Sequence, residues 1–108
     1  MSLEPTMDGE YPTEETEEVI RKWGCVGKDS KLALMEYVKK AWWMPEWGWS
    51  EENGVNDLGN LAHRYKISTG GWSGNERLIG AMKDNFLFWS LAWIQSRRGG
   101  HYIFEVTV

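Results

Sequence analysis

The chain has 108 residues, with a hydrophobic share of 42%, a charged share of 26% and a formal net charge of −4. This length suits one globular domain. No apolar run approaches the roughly 20 residues of a membrane-spanning helix, and the N-terminus lacks a basic segment followed by an apolar one, so we expect a cytoplasmic protein that binds no membrane. The single cysteine, Cys25, excludes a disulfide within the chain and a cysteine-based metal site.

The acidic residues are concentrated at the N-terminus. The first 18 residues carry seven acids and no base, and the rest of the chain carries twelve bases and nine acids. Residues 1–11 show no hydrophobic periodicity, so we expect an acidic flexible leader followed by a single domain over residues 12–108. The alternative is a leader that mimics a nucleic acid or masks a basic surface of the same chain.

Two helices are predicted next. The first covers about residues 12–23, with acids in its first turns, and Gly24 ends it. The second begins at a cap formed by Asp29 and Ser30 and runs to about Trp42. Apolar residues recur along it at the spacing of one buried helix face. That face consists of Leu34, Met35, Val38, Ala41 and Trp42.

Residues 43–60 are predicted to form an irregular loop, because Pro45 and several glycines exclude a long helix. At most one helical turn, near Ser50, is expected. Trp47 and Trp49 either fold back over the core or form a partner-binding surface. The acids of this segment (Glu51, Glu52 and Asp57) lack the spaced oxygen ligands of an EF-hand loop, so neither a metal ion nor a cofactor is predicted.

From residue 61 the hydrophobic period changes to two, which predicts a half-buried strand over residues 61–69. Ser73 and Glu76 have the spacing of a capping box and predict a helix that ends near Asn85. The apolar run 86–96 predicts a central strand, which forms a hairpin with a third strand over residues 101–107.

These elements predict an α+β fold in the order helix, helix, strand, helix, strand, strand, with the two N-terminal helices packed on a three-stranded sheet. Trp89 and Trp93, together with Leu87 and Leu91, are expected on one face of the central strand and in the core.

Two glycine pairs, Gly70–Gly71 and Gly99–Gly100, are expected at the same edge of this sheet, because the helix between the first two strands leaves no slack in the chain. Free N–H groups at a helix start and arginine side chains both bind anions. The alternative is that the glycines only supply positive φ for two unrelated turns. The predicted anion- or partner-binding residues are Gly71, Trp72, Gly74, Asn75, Arg97, Arg98 and His101.

Few side chains in the chain are suited to catalysis. His101, with Glu105 two positions further along the same strand face, is the acid–base candidate. Ser73 is explained as a helix cap, and Cys25 as a small buried hydrophobic side chain. No pair of reactive side chains has the spacing that a known chemistry requires, so no catalytic residue is predicted.

The run ISTGGWSGNE…FWSLAWIQSRRGGHYIF, within residues 67–104, resembles sequences of small uncharacterised bacterial and phage-associated proteins. The resemblance implies a bacterial or phage accessory protein and no particular activity. We therefore expect a small non-enzymatic protein that binds a protein partner at the glycine turns. A module that binds nucleic acid or a nucleotide phosphate is the second expectation, and a small enzyme using His101 is the third. The sequence does not indicate an oligomeric state.

Overall fold

Five helices and two antiparallel sheets make up the part of the chain that the computed structural model describes, namely residues 4–9, 11–25, 27–56 and 58–107. The helices are α1 (Glu14–Arg21), α2 (Gly27–Ala41), α3 (Pro45–Gly48), α4 (Ser73–Asp84) and α5 (Phe86–Ala92). The strands are β1 (Met7–Asp8), β2 (Tyr11–Pro12), β3 (Trp49–Val55), β4 (Leu61–Ser68), β5 (Trp93–Arg97) and β6 (His101–Thr107). The predicted α+β class is confirmed.

The main sheet has four strands in the order β3-β4-β6-β5, and every neighbouring pair is antiparallel. One face is buried against the helices and contributes Tyr65, Ile67 and Phe104 to the core. The opposite face, here called the outer face, carries mostly charged and polar side chains such as Arg64 and Lys66. The sequence predicted three strands in this sheet, and the structure has four.

The additional strand, β3, lies in the segment that the sequence predicted as a loop. It pairs with β4 along its whole length, from Trp49 opposite Ile67 to Val55 opposite Leu61. On its inner face Trp49 is followed by the polar Glu51 and Asn53, and the last position, Val55, is exposed. A strand at the sheet edge with polar residues on both faces has no hydrophobic alternation, so the pattern on which strand prediction depends is missing.

The predicted central strand over residues 86–96 is also corrected. Residues Phe86–Ala92 form helix α5, and only Trp93–Arg97 form a strand. The side chain of Asn85 accepts a hydrogen bond from the Phe88 N–H (3.2 Å), which caps the helix at its start. Phe88 and Ala92, four residues apart, are buried.

The change of element also changes which apolar residues of this run are in the core. Leu87, Leu91 and Trp93 are exposed, and the prediction that they belong to the core is wrong. Trp89 is half-buried and packs edge-on against Phe104, with 5.4 Å between ring centroids.

The two N-terminal helices agree more closely with the sequence. Thr13 caps α1, and its side chain accepts a hydrogen bond from the Thr16 N–H. The predicted face of α2 is buried at all five positions, although the helix starts at Gly27, before the predicted cap at Asp29. Cys25 is buried as expected, and this burial raises the pKa of its thiol.

The sequence assigned no element to residues 1–11, whereas the structure has a short hairpin there. Strand β1 pairs with β2, and Thr6 hydrogen-bonds to the start of α1. The Thr6 N–H donates to Thr16 Oγ1 (2.8 Å), and the Thr16 hydroxyl donates to the Thr6 carbonyl (2.7 Å). Residues 1–3 and 10 of the predicted leader lie outside the described residues.

Candidate functional site

The two glycine turns lie side by side at one end of the main sheet. Ser68, at the end of β4, pairs with His101, at the start of β6, and the Thr69 N–H donates to the Gly100 carbonyl (2.9 Å). Gly100 has φ +78°, and a Cβ at this position would collide with the Thr69 side chain, so only glycine allows the turns to approach this closely. We call residues 68–72 and 97–101 the glycine edge.

The outer face has an open groove of about 350 Å³ at the glycine edge. Of the side chains that line this basic groove, three are basic and none is acidic, so it is suited to an anion. Lys66 also contacts Glu52 at 3.3 Å, but both side chains are half-exposed, and such a pair is readily exchanged for another partner. The lining residues are Lys66, Ile67, Ser68, Arg97, His101, Tyr102 and Ile103.

Neighbouring residues hold two of these basic side chains in place. His101 Nδ1 lies 2.6 Å from the Ser68 hydroxyl. With the Gln95 amide oriented so that its oxygen faces Arg97, that oxygen accepts hydrogen bonds from Arg97 Nε and Nη2. Arg98 is exposed in the turn and does not line the groove. The predicted pair of arginines is thus divided between the groove and the tip of the turn.

A cluster of three tryptophans lies on the other side of the glycine edge. The Trp72 ring centroid is 6.4 Å from that of Trp43 and 6.5 Å from that of Trp47. Trp47 is 64% exposed, and the neighbouring Met44, which has a left-handed φ of 57°, is also exposed. Gly70 lies beneath the rings, since a Cβ there would be 2.6 Å from the Trp72 ring and 2.9 Å from that of Trp47.

One prediction was made for Trp47 and Trp49 together, but the two side chains have different environments. Trp49 is buried and packs edge-on against Trp42 and Tyr65, with centroid separations of 5.4 and 6.0 Å. Trp47 belongs to the exposed tryptophan cluster. Sequence reasoning did not include Trp43 in the site, and no local pattern distinguishes it from the buried Trp42 next to it.

Asn75, a predicted binding residue, is buried beneath the tryptophan cluster. Its Oδ1 accepts from the Trp43 N–H (2.8 Å), and its Nδ2 donates to the carbonyls of Trp43 (3.1 Å) and Thr69 (3.3 Å). Gly74 is buried as well. Asn75 therefore positions the segment that carries Trp43 against the glycine edge and does not present its own side chain to a ligand.

The predicted cap at Ser73 is wrong. Trp72 is the N-cap residue of α4, and it makes no side-chain capping hydrogen bond. The Thr69 hydroxyl instead accepts from the Gly71 N–H (3.3 Å) and lies 3.5 Å from the Glu76 carboxylate. Because Thr69 orders the turn, the helix starts one residue earlier than predicted. The carboxylate of Glu76 in the first turn also opposes an anion at this helix start.

In the described part of the chain, the acid–base candidate His101 hydrogen-bonds to the Ser68 hydroxyl and not to a carboxylate. Glu105, which the sequence placed on the same strand face, is instead bound by Arg64 Nη2 (2.7 Å) and Nε (3.2 Å). The described residues include no group of three or more histidine, cysteine, aspartate or glutamate side chains that could hold a metal ion. Asp57 lies outside the described residues.

A separate polar cluster links β3, β4 and α2 at the sheet edge formed by β3. Glu51 Oε1 is 2.7 Å from His63 Nε2, and Glu51 Oε2 accepts from Trp49 Nε1 (2.8 Å) and Lys39 Nζ (3.0 Å). His63 Nδ1 lies 2.6 Å from Asn53 Oδ1. Partial burial raises the pKa of Glu51, but the three hydrogen bonds outweigh this effect and leave the pKa below its ordinary value of 4.5.

We expect Glu51→Gln to lower the free energy of unfolding by about 1 kcal/mol at pH 7, because three donors lose a charged acceptor. A carboxylate whose pKa is lower in the folded state stabilises the fold above its unfolded pKa, and this contribution is lost as the pH falls through the folded value. Urea unfolding between pH 7 and pH 3 should therefore show the two proteins converging below about pH 4.5. Glu52→Gln, which removes only the exposed pair with Lys66, is the control. A difference in the free energy of unfolding between wild type and Glu51→Gln that stays constant across this pH range would contradict the lowered pKa of Glu51.

No helix of the described residues is long and apolar enough to cross a membrane. Comparison of the chain with protein-family models, with curated proteins and with solved structures finds no match in any of the three.

Proposed function

We propose that this chain is a small non-enzymatic binding protein that contacts a protein partner at the glycine edge and holds an anionic group of that partner in the basic groove. The observation that carries the proposal is the position of the groove and the tryptophan cluster on either side of one pair of glycine turns. A Cβ at Gly70 would meet the Trp47 and Trp72 rings, and the neighbouring Thr69 N–H donates to the carbonyl of Gly100, next to His101.

The groove is a better anion site than the start of α4. Gln95 accepts from Nε and Nη2 of Arg97, and the guanidinium has further N–H donors for a carboxylate or phosphate. Lys66 adds a second positive charge. At the helix start, by contrast, Glu76 is acidic and the Asn75 side chain is already hydrogen-bonded. The anion site is therefore proposed at Lys66, Arg97 and His101.

The tryptophan cluster favours a protein over a nucleic acid as the partner. Exposed tryptophans are among the side chains that contribute most to protein–protein binding. Trp47 and Trp72 pack edge-on, with an interplanar angle of 65°, whereas consecutive bases stack on open ring faces.

The anion site is tested by titrating the protein with sodium sulfate and following its backbone ¹H–¹⁵N NMR signals. We expect shifts at Lys66, Arg97 and His101 and none at Gly74. Arg97→Ala should weaken sulfate binding by roughly tenfold, because it removes the guanidinium group that lines the groove. Arg98→Ala removes the same charge one residue away and should leave binding nearly unchanged. Equal losses in both variants would show a diffuse charge effect and contradict the proposed site.

The partner class is tested by capture from a nuclease-treated bacterial lysate. We expect a protein to be retained by the wild type and lost with Trp47→Ala, which trims an exposed ring without affecting the core. If retention instead requires nucleic acid and falls steeply with salt, the nucleic-acid alternative replaces the proposal.

A further inference from the structure

The rings of the tryptophan cluster are inclined to one another and form a corner. The planes of Trp43 and Trp72 are inclined by 49°, and those of Trp47 and Trp72 by 65°. Trp47 is 64% exposed and Trp43 is 37% exposed, so both rings are open to solvent. The face of an indole ring is negative and attracts a cation, and inclined rings allow one cation to contact more than one ring.

Two acidic residues border the tryptophan cluster. Glu46 directly precedes Trp47 in α3 and is exposed. Glu76 is exposed and lies one helical turn after Trp72, to whose carbonyl its N–H donates (3.0 Å). Its carboxylate is 3.5 Å from the hydroxyl of Thr69, which belongs to the glycine edge. We call Glu46 and Glu76 the acidic border, and their charges favour a cation at the cluster.

The basic side chains of the described residues are engaged away from the tryptophan cluster. Three cation–π contacts occur in the described part of the chain, two made by Lys83 and one by Arg77, and none of them involves the cluster. The basic residues closest to the cluster in the sequence pair with carboxylates outside the acidic border. Arg77 contacts Glu17 (2.6 Å), and Lys40 contacts Glu4 (2.9 Å). Among the described residues, the cluster thus has no cation of its own.

We propose that the tryptophan cluster and its acidic border bind a basic side chain, arginine or lysine, of the protein partner. This inference rests on the proposed function and specifies the chemistry of its second contact. An apolar side chain could enter the corner but would gain nothing from the acidic border, whereas a guanidinium or ammonium group gains from both the rings and the carboxylates. The partner then carries an acidic group for the basic groove and a basic side chain for the cluster.

Titration with Nα-acetyl-arginine amide, a small monovalent cation, tests the site through the indole ¹H–¹⁵N NMR signals. We expect saturable shifts at Trp47 and Trp72 and none at the buried Trp49. Nα-acetyl-citrulline amide, which has a similar shape and no charge, should bind roughly fivefold more weakly, and so should Nα-acetyl-leucine amide. Trp47→Ala should weaken arginine binding by a similar factor, and circular dichroism checks that this variant folds. No binding of the arginine probe, or equal binding of all three probes, would overturn the proposal.

Charge variants test the acidic border. Glu46→Gln and Glu76→Gln should each weaken binding of the arginine probe about twofold and leave that of the leucine probe unchanged. Asp84→Asn removes the same charge at the opposite end of α4 and should leave arginine binding unchanged. Equal losses in all three variants would show a diffuse charge effect and overturn the role of the border.

Capture of the protein partner separates this inference from the proposed function. We expect Glu46→Gln combined with Glu76→Gln to reduce capture, as Trp47→Ala does. Capture that requires Trp47 but is unaffected by the loss of both carboxylates would overturn the basic side chain as the occupant and leave the proposed function intact. Arginine binding as expected without capture of any protein would overturn the proposed function alone.

Discussion

Asn85→Ala is expected to lower the free energy of unfolding by about 3 kcal/mol, because one buried side chain joins three elements. Its Nδ2 donates to the carbonyl of Ile20 (2.9 Å), in α1, and to that of Trp23 (3.0 Å), just after α1. Its Oδ1 accepts from the Phe88 N–H, which starts α5. Alanine leaves all three groups without this partner in a buried environment, and the loss of the cap alone costs about 1 kcal/mol. Urea unfolding measures the change.

Asn85→Asp separates the two roles of this residue. Aspartate keeps an oxygen to cap α5, but it replaces the amide donor with an acceptor that faces two carbonyls. We expect this variant to be destabilised nearly as much as the alanine variant at pH 7. An aspartate variant as stable as the wild type would show that the hydrogen bonds to Ile20 and Trp23 contribute nothing, and that Asn85 acts only as a cap.

The residue Asn85 also shows why part of the fold was not predictable from the sequence. Helices α1, α2 and α4 bury one stripe, and β4 alternates, so the sequence indicated each of them. The run from Phe86 is apolar on every side, and periodicity does not distinguish a helix from a strand in such a run. The helix is favoured by the cap at Asn85 and by the packing of Phe88 against Phe104 of the sheet. The packing depends on tertiary structure and is not visible in the sequence.

The location of the candidate site was predictable, because chain direction alone places both glycine turns at one edge of the sheet. The side chains that form the site were only partly predictable. The sequence placed both glycine turns at one edge, and in the structure the antiparallel pairing of β4 with β6 brings them together. The sequence could not distinguish Arg97 from Arg98, because their orientations depend on the register of β5 with β6. It also could not assemble Trp43 with Trp72, since the hydrogen bonds of Asn75 that hold them together span 32 residues.

Gly70→Ala and Gly71→Ala are expected to separate the strain of the turn from the packing of the tryptophan cluster. Both glycines have left-handed backbones, with φ of +64° and +77°, so each substitution should cost about 1–2 kcal/mol of stability. At Gly71 an added Cβ has no neighbour within 4 Å, and this strain is the whole effect. At Gly70 the Cβ would meet the rings of Trp72 and Trp47, which must move.

The indole N–H signals in ¹H–¹⁵N NMR spectra give the deciding measurement. In Gly70→Ala we expect the signals of Trp47 and Trp72 to shift and capture of the protein partner to be lost, whereas Gly71→Ala should preserve both. Sulfate binding should survive in both variants, because the atoms nearest to a Cβ at Gly70 belong to the two tryptophans, and one at Gly71 has no neighbour within 4 Å. If both variants lose partner capture equally, the backbone of the turn forms the contact and the tryptophan cluster does not. If neither loses it, the partner binds elsewhere and the role proposed for the glycine edge is wrong.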